Sequence, residues 1–206
     1  MNALHSIVDM ANIQKGDQIL EIGPGLGTLT EILLSFEAHV TAVEYDRELF
    51  DELKSEVRTM FSKDAGRLTL INQDILEFDL ATLPKDYKVV ANIPYYLTSN
   101  LIRVLSESSN PPQSATLLIQ KEVAERLCAG PGDMSILSVT AQMYFRCGLG
   151  PLVPAKLFTP PPKVDSQVVL LTRREVPVFG DREAGEVFRI VKAGFSNKRK
   201  TLLNSL

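Results

Sequence analysis

Cysteine and histidine are scarce in this sequence, with only Cys128, Cys147, His5 and His39 to represent them. Two cysteines cannot build a disulfide framework, and they read as reduced thiols of a cytoplasmic protein. The histidines are far apart and stand in no metal-ligand spacing, so both read as structural or surface residues and no zinc or iron site is visible. Long apolar runs are missing as well. None reaches the roughly 18 residues a membrane span needs, and the N-terminus lacks a signal-peptide pattern. The expectation is a soluble, metal-free chain with no membrane partner, monomeric by default. A strong charge of either sign is also lacking: the formal net charge is −3 and the pI is near 5.5. That balance does not announce a nucleic-acid binder.

What is present suits one compact α/β domain with some surplus for an appendage. The chain has 206 residues, of which 45% are hydrophobic and 23% charged. A chain of that size buries roughly 70% of its unfolded surface and folds without disulfide or metal. The charge is unevenly spread. Glu44 to Glu56 holds six acids and two bases, whereas Arg189 to Lys200 holds Arg189, Lys192, Lys198, Arg199 and Lys200 with no acid. Such asymmetry lets one face hold phosphates while another stays in water, although charge alone fits a solvated surface equally well.

Apolar periodicity predicts a helix over Asn2–Asn12, a strand over Gln18–Ile22, a helix over Thr28–Phe36, a strand over His39–Val43 and a helix over Arg47–Met60. Further strands are predicted over Arg67–Ile71, Tyr87–Ala91, Ala115–Ile119, Ser138–Phe145 and Gln167–Thr172, with helices over Leu97–Leu105 and Glu122–Leu127. This alternation argues a doubly wound, mainly parallel sheet with helices on both faces. Residues 1–180 read as one domain. Asp181 to Leu206 reads as a helix and a basic segment, the opening of a further element.

Three constellations carry chemistry. Glu21-Ile-Gly23-Pro-Gly25-Leu-Gly27 ends the first strand and enters a helix, and its glycines let a ligand lie against bare main chain. Glu44, 21 residues after Gly23, closes the second strand, where an acid can accept hydrogen bonds from two ribose hydroxyls. The layout alone does not separate a dinucleotide from S-adenosylmethionine, and a plain strand–turn–helix without ligand stays open. Two features favour S-adenosylmethionine. The spacing is Gly-x-Gly-x-Gly, not the pyrophosphate fingerprint Gly-x-Gly-x-x-Gly, and Glu21 would repel a pyrophosphate but suit an ammonium.

Second, Gln73-Asp74-Ile75 follows the third strand. Asp74 is placed to accept from an adenine amine with Ile75 packed on the ring, but an Asp there also serves as a helix cap. Third, and most specific, is Asn92-Ile93-Pro94-Tyr95 after the fourth strand. An adenine amine is a poor nucleophile because its lone pair is delocalised into the ring. Accepting both amine hydrogens, one on the Asn92 side chain and one on the Ile93 carbonyl, holds the nitrogen toward tetrahedral geometry. Pro94 stiffens the turn, and positioning is most of what methyl transfer needs. Tyr95 offers a stacking face, and Phe158, before the run Pro160-Pro161-Pro162, offers a second plane for a base drawn out of its helix. Phe158 reads equally well as a residue that pins its loop to the core.

Together these motifs resemble the small-subunit ribosomal RNA adenine dimethyltransferases. The resemblance rests on Glu21–Gly27, Glu44-Tyr-Asp46, Asn92–Tyr95, Gln120-Lys-Glu-Val-Ala124, Pro160-Pro-Pro-Lys-Val-Asp-Ser166 and Phe195-Ser-Asn-Lys-Arg-Lys-Thr-Leu202, in that order along nearly the whole chain. It implies a Rossmann-like, seven-stranded S-adenosylmethionine-dependent methyltransferase fold. It also implies dimethylation of the N6 amines of two adjacent adenosines near the 3′ end of small-subunit RNA, in a pre-ribosomal particle. By the same resemblance Gly23, Glu44, Asp74 and Asn92 contact the cofactor, and Asn92, Tyr95 and Phe158 hold the base; the reading of the residues adds Glu21, Gly25 and Ile75 to the cofactor side and Ile93 to the base side. Members usually carry a Gln-Asn/His-Phe-Leu segment before the first helix and continue past the Lys-Arg-Lys segment into a small helical domain, so the sequence looks like a core trimmed at both ends. Two rivals remain: the sister family that methylates an adenine of large-subunit RNA and confers macrolide resistance, and an assembly factor that keeps the fold without catalysis. A nicotinamide oxidoreductase leaves Asn92 to Tyr95 unexplained.

Overall fold

The structure is a computed structural model and describes residues 3–60, 64–93, 97–158, 160–180 and 182–195. Along the chain come α1 (Ala3–Ala11), β1 (Gln18–Ile22), α2 (Thr28–Ser35), β2 (His39–Glu44), α3 (Arg47–Met60), β3 (Leu68–Asn72), β4 (Lys88–Asn92), α4 (Thr98–Glu107), β5 (Ser114–Gln120), α5 (Lys121–Leu127), α6 (Ile136–Tyr144), β6 (Phe145–Val153), β7 (Ser166–Arg173) and α7 (Ala184–Phe195).

The strands form one seven-stranded sheet in the order β3-β2-β1-β4-β5-β7-β6. β3 through β5 pair in parallel, and β7 runs antiparallel between β5 and β6. The central strands are buried on both faces, which explains their near-continuous apolar runs: Val89, Val90 and Ala91 are all fully buried. Two apolar clusters flank the sheet. One packs Ile7 and Val8 of α1, Leu29 and Leu33 of α2 and Leu53 of α3 against Ile19, Val40, Val90 and Leu118. The other packs Leu101 and Leu105 of α4, Leu127 of α5 and Ala141 of α6 against Leu20, Ile22, Val89 and Leu117. Three helices on each face make the doubly wound arrangement expected from the alternation of elements.

Register sets the site. Ile22 lies opposite Val43 and Ala91, Glu44 opposite Asn72, and Asn92 opposite Leu118. The carboxyl ends of β1, β2, β3 and β4 therefore lie along one edge, where open parallel sheets take their ligands.

One expectation is overturned. Ser138–Phe145 is not a strand; Ser138 to Tyr144 belong to α6, and the strand is the following segment, Phe145–Val153. A reciprocal pair of hydrogen bonds starts the helix: the Ser135 hydroxyl accepts from the Ser138 amide, and the Ser138 hydroxyl accepts from the Ser135 amide. Packing of Ala141 and Met143 into the core then overrides the β preference of Val139, Thr140 and Tyr144. The true strand escapes notice because Gly148, Gly150 and Pro151 interrupt it. It is an edge strand with a bulge between Leu149 and Leu152, where a proline is tolerated. A Cβ on Gly150 would stand 2.1 Å from the Met10 sulfur of α1 and 3.1 Å from the Val168 carbonyl oxygen, so Met10 would have to move to admit a side chain.

Candidate active site

The glycine turn between β1 and α2 is held from three sides. Gly23, Gly25 and Gly27 all have positive φ (66°, 54° and 81°), which L side chains rarely adopt. The Gly23 amide donates to the Val43 carbonyl at 2.9 Å, tying the turn to β2. The Glu44 carboxylate then spans the gap: Oε2 accepts from the Gly25 amide at 3.1 Å and Oε1 from the Asp46 amide at 2.9 Å. Each oxygen keeps a second lone pair, so Glu44 braces the turn and can still accept two hydroxyls. No heavy atom lies within 4 Å of where a Cβ would stand on Gly23 or Gly25, so the main chain there faces open space.

Beside this turn opens a cavity of about 630 Å³, whose walls include Gly23, Glu44, Asp74, Ile75, Leu97 and Asn100. Tyr45, Asp46, Leu49, Gln73 and Leu76 complete its rim. Asp74 keeps both roles open. Its Oδ1 accepts from the Leu76 amide at 2.9 Å, closing a local turn, while Oδ2 has no hydrogen bond among the described residues.

Glu21 is placed differently from the other acids. It is fully buried and does not line the cavity; its Oε2 accepts from the Thr30 hydroxyl of α2 at 2.7 Å, and Oε1 has no partner among the described residues. Burial pushes its carboxyl up to about 8; the Thr30 hydrogen bond opposes the rise and the Glu44 charge adds to it. At neutral pH the group is thus a protonated acid, and the sequence argument from its negative charge holds only when a nearby cation draws the proton off.

Asn92 stands exposed at the carboxyl end of β4, one residue past the partner of Ile22 and so beside the glycine turn. Ile93 is 3% exposed and anchors the end of the strand in the core below α4. Pro94 and Tyr95 lie outside the described residues. Phe158 is half-buried at the edge of the cluster containing α1 and α2, and its amide donates to the Ala155 carbonyl at 3.1 Å. Its loop is tied to the same edge of the sheet. The Asp165 side chain accepts from the Ala155 amide at 2.9 Å, and the Asp165 carbonyl accepts from the Lys121 amide, at the end of β5, at 3.0 Å. Arg189 and Lys192 are exposed on α7, none of whose residues is buried; Lys198, Arg199 and Lys200 lie outside the described residues.

The profile of ribosomal RNA adenine dimethylase matches residues 1–206. The chain belongs to that family. It is accordingly an enzyme, a methyltransferase acting on ribosomal RNA adenine, on a Rossmann-like fold. Among its relatives is the ribosomal RNA small subunit methyltransferase A of Streptococcus equi subsp. zooepidemicus, 39% identical over 214 residues that cover all of this chain and 72% of that protein. Among solved structures, a dimethyladenosine transferase from Plasmodium falciparum superposes with a TM-score of 0.83 at 31% identity, covering 98% of this chain and 71% of that one. The 23S rRNA methyltransferase ErmE superposes with a TM-score of 0.79 at 27% identity, covering 98% and 80%.

Of the cavity's walls, Leu97 and Asn100 are the residues that sequence reasoning missed. Their i, i+3 spacing puts them on one face of the first turn of α4, a signal that was present but had no cavity to refer to. Among the described residues no cluster of three or more His, Cys, Asp or Glu side chains is arranged to hold a metal, and no helix is long and apolar enough to cross a membrane.

Proposed function

We propose that this family member transfers methyl groups from S-adenosylmethionine to the N6 amines of two adjacent adenosines near the 3′ end of small-subunit ribosomal RNA, acting as a cytoplasmic monomer on a pre-ribosomal particle. The observation that carries the reading is the juxtaposition at one sheet edge of the Glu44-braced glycine turn with its cavity and of the exposed Asn92.

The residues suit the cofactor. Bare main chain at Gly23 and Gly25, the free lone pairs of Glu44, the open Oδ2 of Asp74 and the apolar side chain of Ile75 would hold an adenosine. The unpartnered Oε1 of Glu21 lies behind the turn, within the electrostatic reach of an ammonium held on it. When bound, S-adenosylmethionine supplies a methyl group on a sulfonium that leaves as a neutral thioether.

The chain's own residues prepare the acceptor. Asn92 takes one amine hydrogen on its side-chain oxygen and the Ile93 carbonyl takes the other, so the nitrogen is held toward tetrahedral geometry and its lone pair is localised, out of conjugation with the ring. Tyr95 and Phe158 take the two faces of the extruded base. Neither Asn92 nor Ile93 is a base, so the proton lost from the amine passes to water. RNA phosphates are held by Arg189, Lys192, Lys198, Arg199 and Lys200, in the segment 181–206 that follows the catalytic domain 1–180.

The test is transfer of labelled methyl to unmethylated small-subunit particles by wild type and Asn92→Ala, with the product nucleoside identified. Dimethyladenosine that disappears in the variant supports the reading; equal transfer by both overturns the role of Asn92. The likeness to ErmE favours one second reading, a large-subunit target, and purified large-subunit RNA in the same assay decides it.

A further inference from the structure

The cavity has a polar group that the reading above leaves unused. Asn100, in the first turn of α4, lines the wall that also holds Leu97, Asp74, Ile75 and Leu76. Its side chain is exposed to that space, and its amide makes no hydrogen bond among the described residues. Elsewhere the wall at this end is apolar: Ile75 is buried, and Leu76 and Leu97 are half-buried against the core. Among the described residues the other polar side chains at this end are Asp74, whose Oδ1 is committed to the Leu76 amide and whose Oδ2 is open, and Gln73, whose Nε2 donates to the Glu77 carbonyl at 3.1 Å.

An adenine ring shows a specific edge to such a wall. Its exocyclic amine donates, and the ring nitrogens flanking that amine only accept. A carboxylate serves the donor but repels the acceptors. An amide supplies the missing donor. Glu44, one strand nearer the centre of the sheet, places the ribose, so the base must extend toward β3 and α4, where Asp74 and Asn100 stand.

We propose that Asn100 is a cofactor-binding residue that donates a hydrogen bond to an adenine ring nitrogen while Asp74 accepts from the amine, so that the pair selects adenine. This rests on the cofactor reading given above. It assigns to α4 a part in cofactor recognition, separate from the part Asn92 plays toward the substrate base.

The experiment uses the whole chain and S-adenosylhomocysteine as the probe, titrated calorimetrically into wild type, Asn100→Ala and Asn100→Leu. Leucine keeps the volume but cannot donate. Both variants are expected to bind about tenfold more weakly, the loss that follows when a single neutral hydrogen bond is left unmade. The unfolding midpoint of the ligand-free protein should not move, because the Asn100 side chain has no hydrogen bond to lose among the described residues. In turnover assays KM for S-adenosylmethionine should rise while kcat at saturation stays level. If Asn100→Leu binds the probe as wild type does, Asn100 only fills space and the proposal is overturned. A wild-type chain that does not bind the probe, at any concentration that stabilises no fold, sinks the cofactor reading itself, a result distinct from a wild type that binds and variants that bind equally well.

Discussion

Replacing Glu21 with glutamine tests the burial argument by a measurement that needs no substrate. The folded carboxyl is pushed up to about 8 from an ordinary value of 4.5, mainly because it is withdrawn from water. Below pH 4.5 the group is protonated in both the folded and the unfolded chain, and burial costs nothing extra. As pH rises past that point the unfolded chain releases the proton and the folded one keeps it, so stability falls with pH. The fall ends near pH 8, where the folded group ionises too and the difference becomes constant. Between 4.5 and 7, at about 1.4 kcal/mol per pH unit, the loss is on the order of 3 kcal/mol. Glutamine keeps an acceptor for the Thr30 hydroxyl and has no proton to lose. Urea unfolding of wild type and Glu21→Gln across pH 4 to 9, subtracted pairwise, cancels every other titrating group. The difference should fall by that amount up to neutrality and flatten above pH 8. Parallel profiles would mean that Glu21 is ionised in the folded state, and that water or a rearranged partner reaches its Oε1.

Four other changes probe separate parts of the site. Glu44→Ala strips the charged acceptor from the Gly25 and Asp46 amides, and should cost about 2–4 kcal/mol of stability as well as S-adenosylhomocysteine binding, both read by thermal melts with and without ligand. Phe158→Ala should lower kcat/KM for RNA by up to ~100-fold, the worth of one base–aromatic stack, with cofactor affinity unchanged in calorimetry. Ser135→Ala removes the side chain that starts α6 and should cost about 1 kcal/mol in chemical unfolding without touching methyl transfer. Changing Lys198, Arg199 and Lys200 together to alanine should reduce the slope of log affinity against log salt by about 2 to 3 in RNA binding; an unaltered slope would remove that segment from the RNA contact.

The parts of the fold legible in the sequence are those where one local rule decides. β1 and α3 have the predicted bounds because apolar periodicity and turn residues agree there. Ser138–Phe145 misleads because β-branched and aromatic residues alternate in it, while the decisive signal is a serine pair three residues apart whose reciprocal hydrogen bonds only the folded backbone reveals. β6 is legible only through its partner: Gly148, Gly150 and Pro151 spoil any strand pattern, and pairing with β7 restores it.

The site divides along the same line. Glycine positions and the acid at the end of β2 are fixed by backbone demands, so Gly23, Gly25 and Glu44 can be found by spacing. Protonation cannot be found that way. Glu21 and Glu44 are both strand-end acids in the same motif, yet Glu44 has two amides and a cavity beside it, whereas Glu21 has a single hydroxyl and no exposure to solvent. Burial therefore raises the Glu21 carboxyl. The cause is the side of β1 on which Glu21 falls: it faces α2 and Thr30, on the sheet face opposite the cluster formed by Leu20 and Ile22. An ammonium arriving at the glycine turn would reverse the balance at Glu21 by drawing off its proton. Cofactor binding should then release protons to the buffer near pH 7, and calorimetry in buffers of different ionisation enthalpy would count them.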